Sequence, residues 1–307
     1  MCLNVPLSVQ EDDHSCGQHC VSMVTDYHGV RIPPESPVFA DLCRSDGCLD
    51  SPGVACSLAE LVTDGHVLFA SDSMAQIVHP DGSITRPPAD ARARFSRLRR
   101  SKRVFLMEWC RFEEEAVGDG KAVARRPTNA QSAERFPHAY SLMNVLVELE
   151  KLPCIIAVDY RLIQPSCSLL HYLVVTSVKE TAIKANNPGP RPHQRKNQRI
   201  PRSTLETAWA RADNDLIAFF PDREKFTGFL LKLLGHVLNF HQGSDVTWIG
   251  DLFWESVVKT LRNNDEAIDL IENRLYLMMM QAGPTAVLLR QVLERMEQSE
   301  GPVNDDN

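Results

Sequence analysis

A chain of 307 residues, 43% of them hydrophobic and 24% charged, has the balance of a folded globular protein and length enough for two compact domains. Its formal charge of −7 argues against general nucleic-acid binding, which shows as a strongly basic domain. No run of about 18 apolar residues occurs, which excludes a membrane-spanning helix.

The first residues, Met1 to Pro6, lack the basic start and apolar core of a secretory signal. Nine cysteines, an odd number without a repeating framework, fit free thiols in a reducing compartment. The expected location is therefore the cytoplasm, or outside the cell after export without a classical signal.

The spacing predicts a helix from Cys16 to Tyr27, with Cys20, Met23 and Val24 turned to a core, and another from Ser141 to Lys151 using Leu142, Val145, Leu146 and Leu149. Apolar runs predict strands at Cys154–Tyr160, His171–Val178 and Leu216–Phe220, with a further strand from Thr181 to Ala185. An early helix followed by later strands points to an α+β domain over residues 1–222 rather than alternating βαβ units. From 223 to 300 the pattern is almost continuously helical, opening with Phe226, Phe229 and Leu230 on one face. That stretch reads as an all-α C-terminal domain, and residues 301–307 as a disordered tail.

Cys16 stands just before an apolar-periodic helix, where unpaired backbone amides stabilise a thiolate and lower its pKa. Gly17, directly after it, leaves room for a substrate to approach those amides. His171 opens a strongly apolar strand, a position from which an imidazole can reach a helix end and accept a thiol proton. Sixteen residues on, Asn187-Pro188 follows the next strand, and a turn near Lys179-Glu180 brings Asn187 back beside His171. Its amide oxygen is expected to accept the Nδ1 proton and hold the ring in its productive tautomer. Gln10, six residues before Cys16, can offer its side-chain amide to an oxyanion.

Gln10, Cys16-Gly17, His171-Tyr-Leu-Val-Val175 and Asn187-Pro188 together resemble the papain-like bacteriocin-processing peptidases, which remove double-glycine leaders, and their free-standing relatives. The likeness spans roughly residues 5–190 and is dense only at its two ends. Two positions depart from that family's pattern: Ser15 precedes the cysteine where Asp is common, and Asn187 stands where Asp is usual, although asparagine serves papain itself. The resemblance implies a papain-like fold, with the helix bearing the cysteine packed on an antiparallel sheet. It implies thioester chemistry on a peptide or protein, with Cys16 as nucleophile, His171 as base, Asn187 orienting it and Gln10 in the oxyanion site. Such chemistry needs no metal or organic cofactor. Water as acceptor makes a peptidase or amidase; an amine makes an acyltransferase.

Two other readings stand beside it. His14, Cys16, His19 and Cys20, followed by Cys43, Cys48 and Cys56, contain zinc-ligand types, but no second clean pair completes the usual spacing. A non-catalytic binding protein is the other, with the basic residues between Arg92 and Arg103 docking an acidic partner. A second basic stretch, Arg191 to Arg202, follows Asn187 and would border an active-site cleft.

Overall fold

The computed structural model describes residues 2–12, 14–78, 84–85, 98, 101, 103–112, 115–117, 121–123, 139–165, 170–189 and 193–230. Helix α1 (Cys16–Tyr27) and helix α2 (Ser51–Leu61) come first. Strands β1 (His66–Val78), β2 (Ile84–Thr85), β3 (Val104–Phe112), β4 (Glu115–Val117) and β5 (Lys121–Val123) follow. A short helix α3 (Ala139–Asn144) runs into a π-helical turn, Val145–Leu149. Then come β6 (Cys154–Asp159), β7 (Leu170–Val178), β8 (Ala182–Asn187), β9 (Arg195–Pro201), α4 (Arg202–Ala210) and β10 (Leu216–Phe220).

The architecture is α+β, as expected. The main sheet runs β2-β1-β10-β6-β7-β8-β9, with β3 added beside β1, and β4 pairs with β5 separately. Every pairing along the path is antiparallel, and among the described residues only β1 and β3 run parallel. The register sets Val158 opposite His171 and Asn186 opposite Val174, so the start of β7 and the end of β8 lie together.

Helix α1 forms where its periodicity requires. Cys20, Met23 and Val24 are buried against the sheet, and Thr25 ties its hydroxyl back to the Val21 carbonyl at 3.0 Å. At its start the chain is turned by Asp12, whose Oδ1 accepts the backbone N–H groups of His14 and Ser15, both at 2.7 Å. Such an Asx turn orders the approach to a helix at little entropic cost. Helix α2 is capped by Asp50, which accepts the Gly53 amide at 2.7 Å.

The predicted helix from 141 to 151 is wider than expected at its end. In the π turn the Val145 carbonyl accepts the Glu150 amide at 3.0 Å, and Leu149 is 70% exposed while Val147 is buried. The core is large and aromatic. Trp209 of α4 is fully buried and its Nε1 donates to the Asp215 carbonyl at 2.8 Å, while Phe69, Phe105, Phe219 and Phe220 fill the space along the sheet. Residues 223–230 are helical, and Phe226 packs on the Phe220 ring at 5.1 Å and stacks on His66 at 4.8 Å. The rest of the expected helical region, and the tail after it, lie outside the described residues.

His28, at the end of α1, meets Phe219 edge-on at 5.5 Å, and its Nε2 is buried without a hydrogen-bond partner. Burial, with the Lys225 charge, lowers its pKa from 6.5 to about 4, against a small opposing pull from Asp222. The unfolded chain therefore binds this proton first, and stability is lost as pH falls from 6.5 towards 4. His19, His66 and His171 are shifted downward by burial too, and act in the same sense. Urea midpoints compared at pH 7.5 and pH 5 are expected to show His28→Phe losing less stability on acidification than the wild type. The difference is about 1 kcal/mol once the half-exposed site is allowed for. Equal losses in both proteins would remove His28 from the account.

Candidate active site

Cys16 is the first residue of α1 and is half-buried. As the sequence led one to expect, backbone amides at the helix start favour its thiolate: its own N–H and that of Gly17. So does the N–H of Tyr172 on β7. The expected net effect does not follow. Burial outweighs the amides and, with the neighbouring Cys48, pushes the thiol up to about 11. At rest Cys16 is a neutral thiol.

The residue before Tyr172 is His171. Its Nε2 lies 2.7 Å from Asn187 Oδ1. An amide oxygen only accepts, so Nε2 carries the proton and Nδ1 keeps its lone pair. The partners are the expected ones, but the bond is made at Nε2 and not at Nδ1. Burial lowers the His171 pKa and the bond to Asn187 opposes it, which leaves a neutral imidazole whose Nδ1 is unprotonated.

Asn187 is fully buried at the end of β8 and has no rotational choice. Its Oδ1 also accepts the Gly189 amide at 2.8 Å, and its Nδ2 donates to the His193 carbonyl at 3.0 Å and the Tyr160 hydroxyl at 2.7 Å. Tyr160 in turn donates to Gln198 Oε1 at 3.0 Å, and its ring lies 5.1 Å from the His171 ring. Neither Tyr160 nor Gln198 stands out in the sequence, one closing a predicted apolar strand and the other lying inside a basic stretch.

Gln10 is buried beside this group. Its backbone N–H donates to the Pro188 carbonyl at 2.9 Å, tying the segment before Cys16 to the turn after Asn187. Its Nε2 gives one proton to the Asp12 carbonyl at 2.6 Å, and an amide nitrogen has two. Gly17 is placed differently from the expectation. A Cβ there would stand 3.0 Å from Leu49 Cβ and 3.2 Å from Val54 Cγ2, so the space it leaves is filled by the entry to α2, not open to a substrate.

The other cysteines and histidines near Cys16 are spread around it. His14 Nδ1 is 3.7 Å from Cys48 Sγ, His19 Nδ1 is 2.7 Å from Ser8 Oγ, and Gln18 holds Cys43 at 3.3 Å. Cys20 and Cys56 are buried. Among the described residues no group of three or more His, Cys, Asp or Glu side chains is placed to hold a metal ion. Of the basic stretch from Arg92, Arg103 is described: its guanidinium bonds the Val62 and Thr63 carbonyls at 2.7 and 2.8 Å. The remaining basic side chains of that stretch lie outside the described residues. Of the second basic stretch, residues 195–201 form β9, an edge strand, with Arg195 in register with Asn187.

No family model matches the chain, and no curated protein matches it. Among solved structures it is similar to a double-glycine-motif protease from an AMS/PCAT transporter in complex with the leader peptide. That match has 12% identity and a TM-score of 0.35, covering 71% of this chain and 92% of that one. It is also similar to the peptidase domain of Streptococcus ComA, a bifunctional ABC transporter involved in quorum sensing, at 13% identity and a TM-score of 0.36, covering 71% and 97%. A C39-like peptidase from Bacillus anthracis is similar at 13% identity and a TM-score of 0.32, covering 71% and 94%.

Proposed function

We propose that this chain is a papain-like cysteine peptidase or amidase acting on peptide bonds through a thioester on Cys16. The observation that carries the reading is the 2.7 Å bond from His171 Nε2 to a buried, fully oriented Asn187, with Cys16 against the amide of the residue next to that histidine.

In this reading His171 Nδ1 takes the thiol proton as sulfur attacks the acyl carbon. The proton then passes to the leaving amine, and the ring next activates water to hydrolyse the thioester. Asn187 keeps Nε2 protonated and steadies the imidazolium formed in between. The Cys16 amide and the second Nε2 proton of Gln10 hold the oxyanion. Because the resting pair is a neutral thiol and a neutral imidazole, proton transfer accompanies attack and no ion pair waits for the substrate. An amine in place of water gives acyl transfer with the same residues.

The test combines labelling and cleavage. Iodoacetamide at pH 7.5 followed by peptide mapping is expected to modify Cys16 ahead of the other eight cysteines. A mixed peptide library, double-glycine sequences included, is expected to yield new termini that disappear after that modification. A Cys16 no faster than the rest, with no new termini, would leave a papain-like shell that binds without catalysing.

A further inference from the structure

We infer that Tyr160 is a positioning residue for the His171–Asn187 pair, locking the amide through its hydroxyl and the imidazole through its ring. The inference rests on the peptidase reading for its purpose but on geometry for its content. Tyr160 follows β6 at the first residue of a 3₁₀ turn and is 4% exposed. That turn is fixed by Asp159, whose Oδ1 accepts the Arg161 amide at 3.3 Å while its carboxylate pairs with the Arg161 guanidinium at 2.8 Å.

The hydrogen-bond chain has a single direction. Asn187 Nδ2 can only donate, so at 2.7 Å the Tyr160 oxygen is its acceptor. The hydroxyl proton must then go elsewhere, and Gln198 Oε1 at 3.0 Å receives it. Gln198 is delivered by β9, whose register places it opposite Ala185 on β8. Three strands and a turn thus converge on one amide, with its oxygen left for His171 and Gly189. The tilted ring of Tyr160, 5.1 Å from the imidazole, closes the other side and limits rotation about the histidine side chain.

A base must meet the nucleophile in one orientation, and small misplacements are costly in rate. Losing the hydroxyl leaves Asn187 Nδ2 with the His193 carbonyl at 3.0 Å and Gln198 Oε1 at 3.5 Å, so the amide keeps its sense but loses its shortest anchor. Losing the ring as well frees the imidazole. The effect is therefore graded: Tyr160→Phe is expected to slow Cys16 alkylation by iodoacetamide at pH 7.5 about tenfold, and Tyr160→Leu about a hundredfold.

The experiment follows two signals in the 307-residue chain carrying 15N-labelled histidine: the alkylation rate of Cys16 and the His171 Nε2–H resonance, assigned by its loss in His171→Ala. Wild type is expected to show a slowly exchanging Nε2–H, which exchanges faster in Tyr160→Phe while the fold by circular dichroism is unchanged. Gln198→Leu, which leaves the ring untouched but removes both the acceptor of the Tyr160 hydroxyl and the 3.5 Å contact to Asn187 Nδ2, is expected to move both signals in the same direction, and Gln198→Glu, which keeps an acceptor oxygen, to restore them. If Tyr160→Phe and Gln198→Leu lower only the unfolding temperature and leave exchange and alkylation as in wild type, Tyr160 is structural and the inference is overturned. If exchange responds as expected but wild-type Cys16 is no more reactive than the other thiols, the positioning stands and the peptidase reading falls.

Discussion

Cys16→Ala is expected to abolish cleavage of every peptide the wild type cuts, a loss of ~10⁴-fold or more, with the fold intact. Removing the nucleophile of a coupled set takes away nearly all the rate that the set provides, leaving only what the oxyanion donors and binding supply. The substitution removes one sulfur atom from the first residue of α1, so the structural cost is small and a fold check by circular dichroism and urea melting is expected to pass. Cys16→Ser is expected to be almost as poor. The imidazole of His171 is already a weak base, since burial lowers its pKa, and a serine hydroxyl is a far weaker acid than even this raised thiol. Cleavage surviving in both variants would show that the chemistry lies elsewhere.

His171→Ala is expected to have the next largest effect, about 10²- to 10⁴-fold on cleavage, and to change the shape of the pH profile as well as its height. The sign follows from the two shifts. Burial holds His171 below 6.5, so from neutral pH upward it is an unprotonated base, while Cys16 at about 11 stays a thiol. In wild type, alkylation of Cys16 is therefore expected to level off between pH 7 and 9, where assisted proton transfer dominates. Below 6.5 it falls as the imidazole takes up a proton. In His171→Ala the plateau vanishes, and the rate climbs about tenfold per pH unit towards the thiol pKa, since only free thiolate reacts. Parallel profiles in the two proteins would mean that His171 does not serve Cys16.

Much of this was legible in the residues, for identifiable reasons. Helix α1 declares itself because Cys20, Met23 and Val24 recur at helical spacing against one face. Strands β6, β7 and β10 are built round apolar runs, 154–158, 172–175 and 216–220, as strands buried on both faces tend to be. Helix α2 escaped for the opposite reason. Ser51 through Ala59 are all buried, so no polar face marks a period, and Ser-Pro-Gly at its start reads as a loop. Strand β9 was legible only as positive charge, because an edge strand can carry Arg195, Lys196 and Arg199 outward and owes its conformation to pairing with β8.

The site divides along the same line. Residue types and intervals along the chain, taken together with the family pattern they resemble, singled out Cys16, His171, Asn187 and Gln10, since a nucleophile at a helix start and a histidine at a strand mouth are local patterns. Which imidazole nitrogen meets Asn187, how Tyr160 and Gln198 orient that amide, what fills the space beside Gly17, and whether burial or the helix amides win at the Cys16 thiol were decided by tertiary structure alone. Each of these depends on distances between segments far apart in sequence: Tyr160 and Asn187 are joined by a strand return, Gly17 and Leu49 by helix packing. Desolvation in particular is a property of everything around a group, and no stretch of sequence contains it.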